Sequence, residues 1–195
     1  MALRKFFISI FVMVFAQIMQ AQTKGRDYTV DNNRNVIISK VVENIPLHQN
    51  AIYMIAHRYM EEAYQETKYK ITFESKQYET IIGEGTYEAF HEANYFPYSY
   101  FLNAPFQLRI DAKDGRARIS IILSYYTGKR ININETTDIH DRICEFPPVN
   151  SNSSEHDKLY KKAFATLVEK AHQTLDDVIN TISNTPVNDS LETDW

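Results

Sequence analysis

Phe106-Gln107-Leu108-Arg109-Ile110-Asp111-Ala112-Lys113-Asp114-Gly115-Arg116-Ala117-Arg118-Ile119-Ser120-Ile121-Ile122-Leu123 decides the fold. On the first arm Phe106, Leu108, Ile110 and Ala112 alternate with Gln107, Arg109 and Asp111. On the second, Ala117, Ile119, Ile121 and Leu123 share one face, continued by Tyr125, with Arg118, Ser120 and Ser124 on the other. Period two is the signature of a half-buried strand. Asp114-Gly115 between the arms predicts a two-residue type I′ turn, whose central positions both need positive φ. The stretch is therefore an antiparallel hairpin with one oily face and one wet face.

The same pattern extends towards the N-terminus. Tyr69, Ile71 and Phe73 alternate with Lys68, Lys70, Thr72 and Glu74, and a second run covers Tyr78 to Phe90. Gly83 and Gly85 interrupt that run and predict a bend or bulge. Ahead of the meander, Val36, Ile37, Ile38, Val41 and Val42 predict a buried strand within Asn35–Val42. Pro46 suits a first helical turn. Leu47, Ala51, Ile52, Ile55, Ala56, Tyr59, Met60 and Ala63 then recur at three- and four-residue steps, a helical stripe running to about Tyr64. A second stripe, Tyr160, Phe164, Leu167, Ala171, Leu175, Val178 and Ile182, predicts a helix from about Glu155 to Ser183. Asn152 or Ser154 offers it a cap. Between the meander and this helix, residues 127–154 read as a long polar loop carrying Pro147-Pro148. The order β-α-β-β-β-β-α, with two helical stripes and one apolar sheet face, predicts an α+β two-layer sandwich. Both helices lie on one face of an antiparallel curved sheet.

Composition sets the limits. The chain has 195 residues, is 44% hydrophobic, holds one Cys, and carries a formal charge of −4. It is a single domain's worth of sequence, too apolar to be wholly disordered. One Cys excludes an internal disulfide framework and any multi-Cys zinc site. The acidic balance argues against nucleic acid as a partner. Residues 1–21 read as a signal peptide, with Arg4 and Lys5 ahead of an apolar run from Phe6 to Phe15 and a cleavage site near Ala21. The run is too short for a transmembrane span, which takes about 20 residues. Without Arg4 and Lys5 the balance moves from −4 to −6. A periplasmic or secreted location is expected. Residues 22–34 are polar, 35–183 form the domain, and 184–195 are an acidic tail.

Three stretches resemble a known family. Ala51-Ile52-Tyr53-Met54-Ile55-Ala56-His57-Arg58-Tyr59-Met60 is similar to the first helix of the domain-of-unknown-function 4468 family, small secreted proteins of Gram-negative bacteria. Ile81-Ile82-Gly83-Glu84-Gly85-Thr86 resembles its glycine-containing strand, and Ala112-Lys113-Asp114-Gly115-Arg116-Ala117-Arg118 its Lys-Asp-Gly-Arg hairpin. The likeness runs over about Asn35 to Tyr126. It implies a TBP-like fold and an envelope address, and brings no catalytic residues with it. The segment from Lys129 to Val149 has no counterpart in it.

Candidate chemistry is sparse. Gly83-Glu84-Gly85 lacks the Lys and the following helix of a phosphate loop. Asp138, His140, Asp141 and Cys144 are the densest set of metal-ligand types, but their spacing matches no established zinc motif. His57 with Glu61, and His172 with Asp176, stand one helical turn apart, a spacing common on solvated faces. No Gly-x-Ser-x-Gly elbow occurs. No catalytic set and no cofactor are expected. The aromatic cluster Tyr95, Phe96, Tyr98, Tyr100 and Phe101 is a better lead, because rigid rings lose little entropy on binding. The ordinary alternative is that these rings cover one end of the core. The sequence thus leads to a non-catalytic binding or protein-interaction module, its site at Tyr95–Phe101 or in a concavity between sheet and C-terminal helix. Its partner would be another envelope protein or a small ligand. A carrier of a small apolar ligand is the alternative reading, and a metal-dependent hydrolase using the Asp138–Cys144 segment the second.

Overall fold

The apolar sides of the hairpin need a cover, and two helices provide it. A computed structural model describes residues 28–67, 70–132, 135–143 and 154–185. In chain order the elements are β1 (Thr29–Val30), β2 (Val36–Glu43), α1 (Gln49–Thr67), β3 (Lys70–Ser75), β4 (Thr80–Tyr95), β5 (Tyr98–Lys113), β6 (Arg116–Leu123), β7 (Tyr126–Asn132), β8 (Glu135–Ile143) and α2 (Ser154–Asn184). One antiparallel sheet runs β1-β2-β6-β5-β4-β3, with β7 paired to the first half of β5 and β8 paired to β7. Both helices pack on the same side, α1 over β3, β4 and β5, and α2 over β2, β4 and β6.

The expected two-layer α+β sandwich is therefore the observed one. Ile81, Leu108, Ile110, Ile119, Ile121 and Leu123 face the helices and are fully buried, against Ile52 and Met60 of α1 and Leu167, Leu175 and Val178 of α2. Gly83 lies under α1, and a Cβ there would stand 3.2 Å from Met60 Sδ. The expected bulge sits next door, in β3 between Ile71 and Phe73, opposite Gly83. It turns Phe73 away from the core, where it is half exposed.

Several expectations are corrected. Residues 127–154 are not one loop: β7 and β8 form a hairpin within them. Thr127, Lys129 and Thr136-Thr137 suit an edge hairpin, but no apolar alternation announces it, because its first strand is held by β5 rather than by the core. β5 begins at Tyr98, not Phe106, and β4 continues to Tyr95, so the aromatic segment is the end of a long hairpin arm. β2 is buried on one side only. Val41 is 58% exposed, and Lys40 points to the helix layer, where it pairs with Asp176 of α2. The turn at Asp114-Gly115 is not type I′, since only Gly115 has positive φ (71°). Tertiary contacts shape it. Gly115 N donates to Leu47 O (3.0 Å), Ile45 N donates to Gly115 O (2.9 Å), and Asp114 Oδ1 accepts from Gln49 N (2.8 Å), capping α1. Pro46 accordingly precedes the helix instead of opening it.

Residues 1–21, Cys144 and most of the tail lie outside the described residues.

Candidate functional site

Two helices cover one side of the sheet, and the described residues leave the other side open. Register places its side chains in rows. Ser39, Ser120, Arg109, Ile82 and Phe73 form one row from β2 to β3. Towards the β5–β6 turn lies Val41, Arg118, Asp111 and Thr80, and beyond it Glu43, Arg116 and Lys113. In the other direction lies Ile37, Ile122, Gln107, Glu84 and Lys70.

Ile122, Gln107, Glu84 and Lys70 of that last row floor a groove of about 590 Å³. Ser124, Pro105 and Thr86 continue the floor, and Tyr125 and the β1–β2 turn at Asp31 and Asn35 close one end. The turn is a built wall. Asp31 accepts from Asn33 N and Asn35 N at 2.8 Å each and from the Asn35 amide at 2.8 Å. The Asn35 amide bond, partly offset by desolvation, leaves the Asp31 carboxyl below its ordinary pKa. The lining mixes hydroxyls, two amides (Asn35, Gln107), one cation (Lys70) and two carboxylates (Asp31, Glu84) with the apolar faces of Ile122, Pro105 and Tyr125. Such a mixture suits a ligand with both polar and apolar parts.

A charged cluster borders it. Asp111 is 14% exposed, and two guanidiniums converge on it. Arg109 donates through Nη2 (2.8 Å) and Nε (3.0 Å), Arg118 through Nη2 (2.9 Å) and Nε (3.1 Å), and Thr80 Oγ1 donates at 2.9 Å. Burial pushes the carboxyl up, and the hydrogen bonds from Arg109, Arg118 and Thr80 outweigh it, so the pKa is lowered. A smaller groove, about 240 Å³, lies beside this cluster between Val41, Lys113, Arg116 and Arg118.

The aromatic residues separate into two roles. Tyr100 is buried and meets Tyr95 edge-on (6.0 Å between centroids, 76°), so this pair stiffens the arm. Phe96 stands at the turn, 86% exposed, with Tyr98 and Phe101 half-buried along the strand. On the helix side of the arm is His91. Burial, and then the charge of Lys162, hold its pKa below the ordinary value.

Asp138, His140 and Asp141 fall in β8, a strand and not a loop; their side chains, like Cys144, lie outside the described residues. Among the described residues no group of three His, Cys, Asp or Glu is arranged to hold a metal. His57 joins α1 to β3, with Nδ1 3.4 Å from Glu61 and Nε2 3.1 Å from Glu74. Asp176 is taken by Lys40, and His172 Nε2 is buried without a hydrogen-bond partner among the described residues. Neither of the two grooves lies between sheet and helix. The open-face grooves were not foreseen. Their one signal in sequence is that the wet face of the meander holds Ile37, Val41, Ile82 and Ile122 among its polar residues.

A curved antiparallel sheet with two helices on one side makes this a TBP-like α+β protein. Residues 38–126 match the model of the family described as "Domain of unknown function (DUF4468) with TBP-like fold". The fold is shared with the crystal structure of a DUF4468 family protein from Bacteroides ovatus ATCC 8483, at 19% identity, over 83% of this chain and 95% of that one, with a TM-score of 0.54. It is shared too with a TBP-like protein from Parabacteroides distasonis ATCC 8503, at 16% identity, over 83% of this chain and 100% of that one, with a TM-score of 0.56. No curated protein matches the chain. No helix among the described residues is long and apolar enough to cross a membrane.

Proposed function

We propose that this is an exported envelope protein acting as a non-catalytic binding module, and that its ligand or protein partner lies across the open face of the sheet. One observation carries the reading: the groove of about 590 Å³ that crosses four strands on the side away from the helices. Most of its floor, Lys70, Glu84, Thr86, Gln107 and Ile122, belongs to paired strands with the packed core on their other side. A preformed wall binds without an ordering cost. The leader at residues 1–21 supports the envelope location. The acidic charge opposes nucleic acid as the occupant, although TBP itself uses a sheet face on DNA.

A photo-crosslinking residue at Gln107, expressed in a Gram-negative host, tests the site. Capture of one discrete partner or ligand from Gln107, and none from Lys161 on the exposed side of α2, is the expected outcome. Equal capture from both positions would overturn the reading. The exposure of Phe96 favours a second site at the hairpin tip, and the same crosslinker placed at Phe96 separates the two. The fractionation of the cells in that experiment also locates the protein.

A further inference from the structure

The floor of the larger groove is built on one register row carried by four strands. Lys70 of β3 stands opposite Glu84 of β4, Glu84 opposite Gln107 of β5, and Gln107 opposite Ile122 of β6. Neighbouring strands lie about 4.8 Å apart, so the row runs about 14 Å from Lys70 to Ile122. Its hydrogen-bonding character changes at every strand. The Lys70 ammonium only donates, the Glu84 carboxylate only accepts, and the Gln107 amide does both. Thr86, Pro105 and Ser124 make a second row, whose two hydroxyls also donate and accept. At the Ile122 end stands Tyr125, 39% exposed, with the wall of Asp31 and Asn35.

That lining discriminates between ligand classes. A phosphate or other anion meets two carboxylates and one ammonium, a balance that repels it. An acyl chain strips water from Lys70 and Glu84 and returns no hydrogen bonds. A divalent cation needs converging oxygens. Asp31 and Glu84 do not converge, because β6 and β5 lie between their strands, and Asp31 already accepts three hydrogen bonds. An extended peptide adding a strand finds no free ladder in the floor, since Glu84, Gln107 and Ile122 each have a paired strand on both sides. Contacts here are made by side chains, and a hydroxyl suits them, because it donates and accepts without carrying charge.

We propose that the larger groove binds a neutral oligosaccharide lying across the strands. Its hydroxyls meet Lys70, Glu84 and Gln107 in turn, and the C–H face of a sugar ring lies on Ile122, Pro105 and Tyr125. The inference rests on the open-face reading and names the ligand class of that site. A row of about 14 Å is longer than one sugar ring, so the ligand is a chain of them. The groove, about 590 Å³, has the size of a small-ligand cleft, about 300–1,000 Å³. Its wall is ordered in advance: the Asn35 amide donates to Asp31 Oδ2 at 2.8 Å, so it loses little freedom when a ligand arrives.

Cellohexaose, maltohexaose, laminarihexaose and xylohexaose, titrated into the isotope-labelled protein and followed by NMR, test it. With at least one of them the amide signals of Gly85, Gln107 and Ile122 are expected to shift at up to about 10 mM, where even a Kd of about 1 mM nearly fills the site. Gln107→Leu, which removes the amide, and Tyr125→Ala are each expected to weaken that binding at least about threefold. Unchanged core signals in both variants show that the fold is kept. The affinity is expected to be the same at about 0.05 M and 0.5 M salt, because the ligand has no charge to screen. No shift with any of the four sugars overturns the proposal. So do shifts confined to the hairpin tip at Phe96, binding that Gln107→Leu leaves unchanged, or tighter binding of a heparin hexasaccharide or of decanoate. Crosslinking at Gln107 separates this failure from that of the wider reading. A discrete partner captured there without saccharide binding removes the sugar and leaves the open face as the site, whereas failure of both removes both.

Discussion

Replacing Asp111 with alanine tests the open face most directly. The carboxylate is 14% exposed and accepts from Arg109, Arg118 and Thr80. Removing one partner of a buried ion pair costs about 3–5 kcal/mol. Here the guanidiniums are 41% and 56% exposed, so water takes over part of their solvation and the cost falls. Thr80 Oγ1 keeps a second acceptor in Tyr78 O at 3.1 Å and is not orphaned. The two cations, however, are left facing each other across the vacated carboxylate. The balance is a loss of about 2–3 kcal/mol, or about 5–10 °C in Tm for a chain of this size. Urea unfolding followed by circular dichroism measures it. Asp111→Asn keeps the shape and loses the charge, so about half that loss is expected. The pH dependence has a definite sign. The folded pKa of Asp111 is depressed, so its contribution is complete above the unfolded value of about 3.9 and lost as pH falls through the lower folded value. The difference between the wild type and Asp111→Asn should therefore shrink below about pH 4. A loss under about 0.5 kcal/mol with no pH dependence would refute the view that this carboxylate organises the face.

Other consequences are as direct. Leu175→Ala removes a fully buried side chain between α2 and the sheet and should cost about 3–5 kcal/mol in the same assay. Gly115→Ala places a side chain at φ 71° and should cost about 1–2 kcal/mol, whereas Gly83→Ala meets the flexible Met60 thioether at 3.2 Å and should cost about 1 kcal/mol, relieved by Met60→Ala. His91 has a folded pKa below its unfolded value of about 6.5, so the unfolded chain takes up the proton first. Stability should fall as pH drops below about 6.5, and His91→Gln should flatten that part of the profile in thermal melts at stepped pH. Phe96→Ser leaves an exposed turn and should change Tm by less than about 1–2 °C, so any loss of partner capture in that variant reads on binding and not on folding.

Much of the sheet was legible because its strands answer to one local rule. Phe106–Leu123 alternates at period two, and burial alternates with it except at Ser120, which is buried on the open face. The helical stripes from Ile52 to Met60 and from Leu167 to Ile182 are equally explicit, since each has one side to bury. Legibility failed where a strand is held by another strand and not by the core. β7 takes its register from Tyr98–Asn103 of β5, and β8 takes its own from β7, so neither shows a stripe. The aromatic cluster was visible, but its division was not. Tyr100 turns inward and Phe96 outward because β4 and β5 run on to Tyr95 and Tyr98, a matter of pairing length.

The grooves lie furthest from the sequence. Periodicity told which residues leave the core, because each strand must place alternate side chains on opposite faces. It determined the two layers, the two helices and the wet side of the sheet. What stands beside what on that side depends on register across β2, β6, β5, β4 and β3, which brings Lys70, Gln107 and Ile122 into one row from distant positions. Register in turn follows from the turns and from the core beneath. Only the folded chain could set two arginines on Asp111 and open a groove beside them.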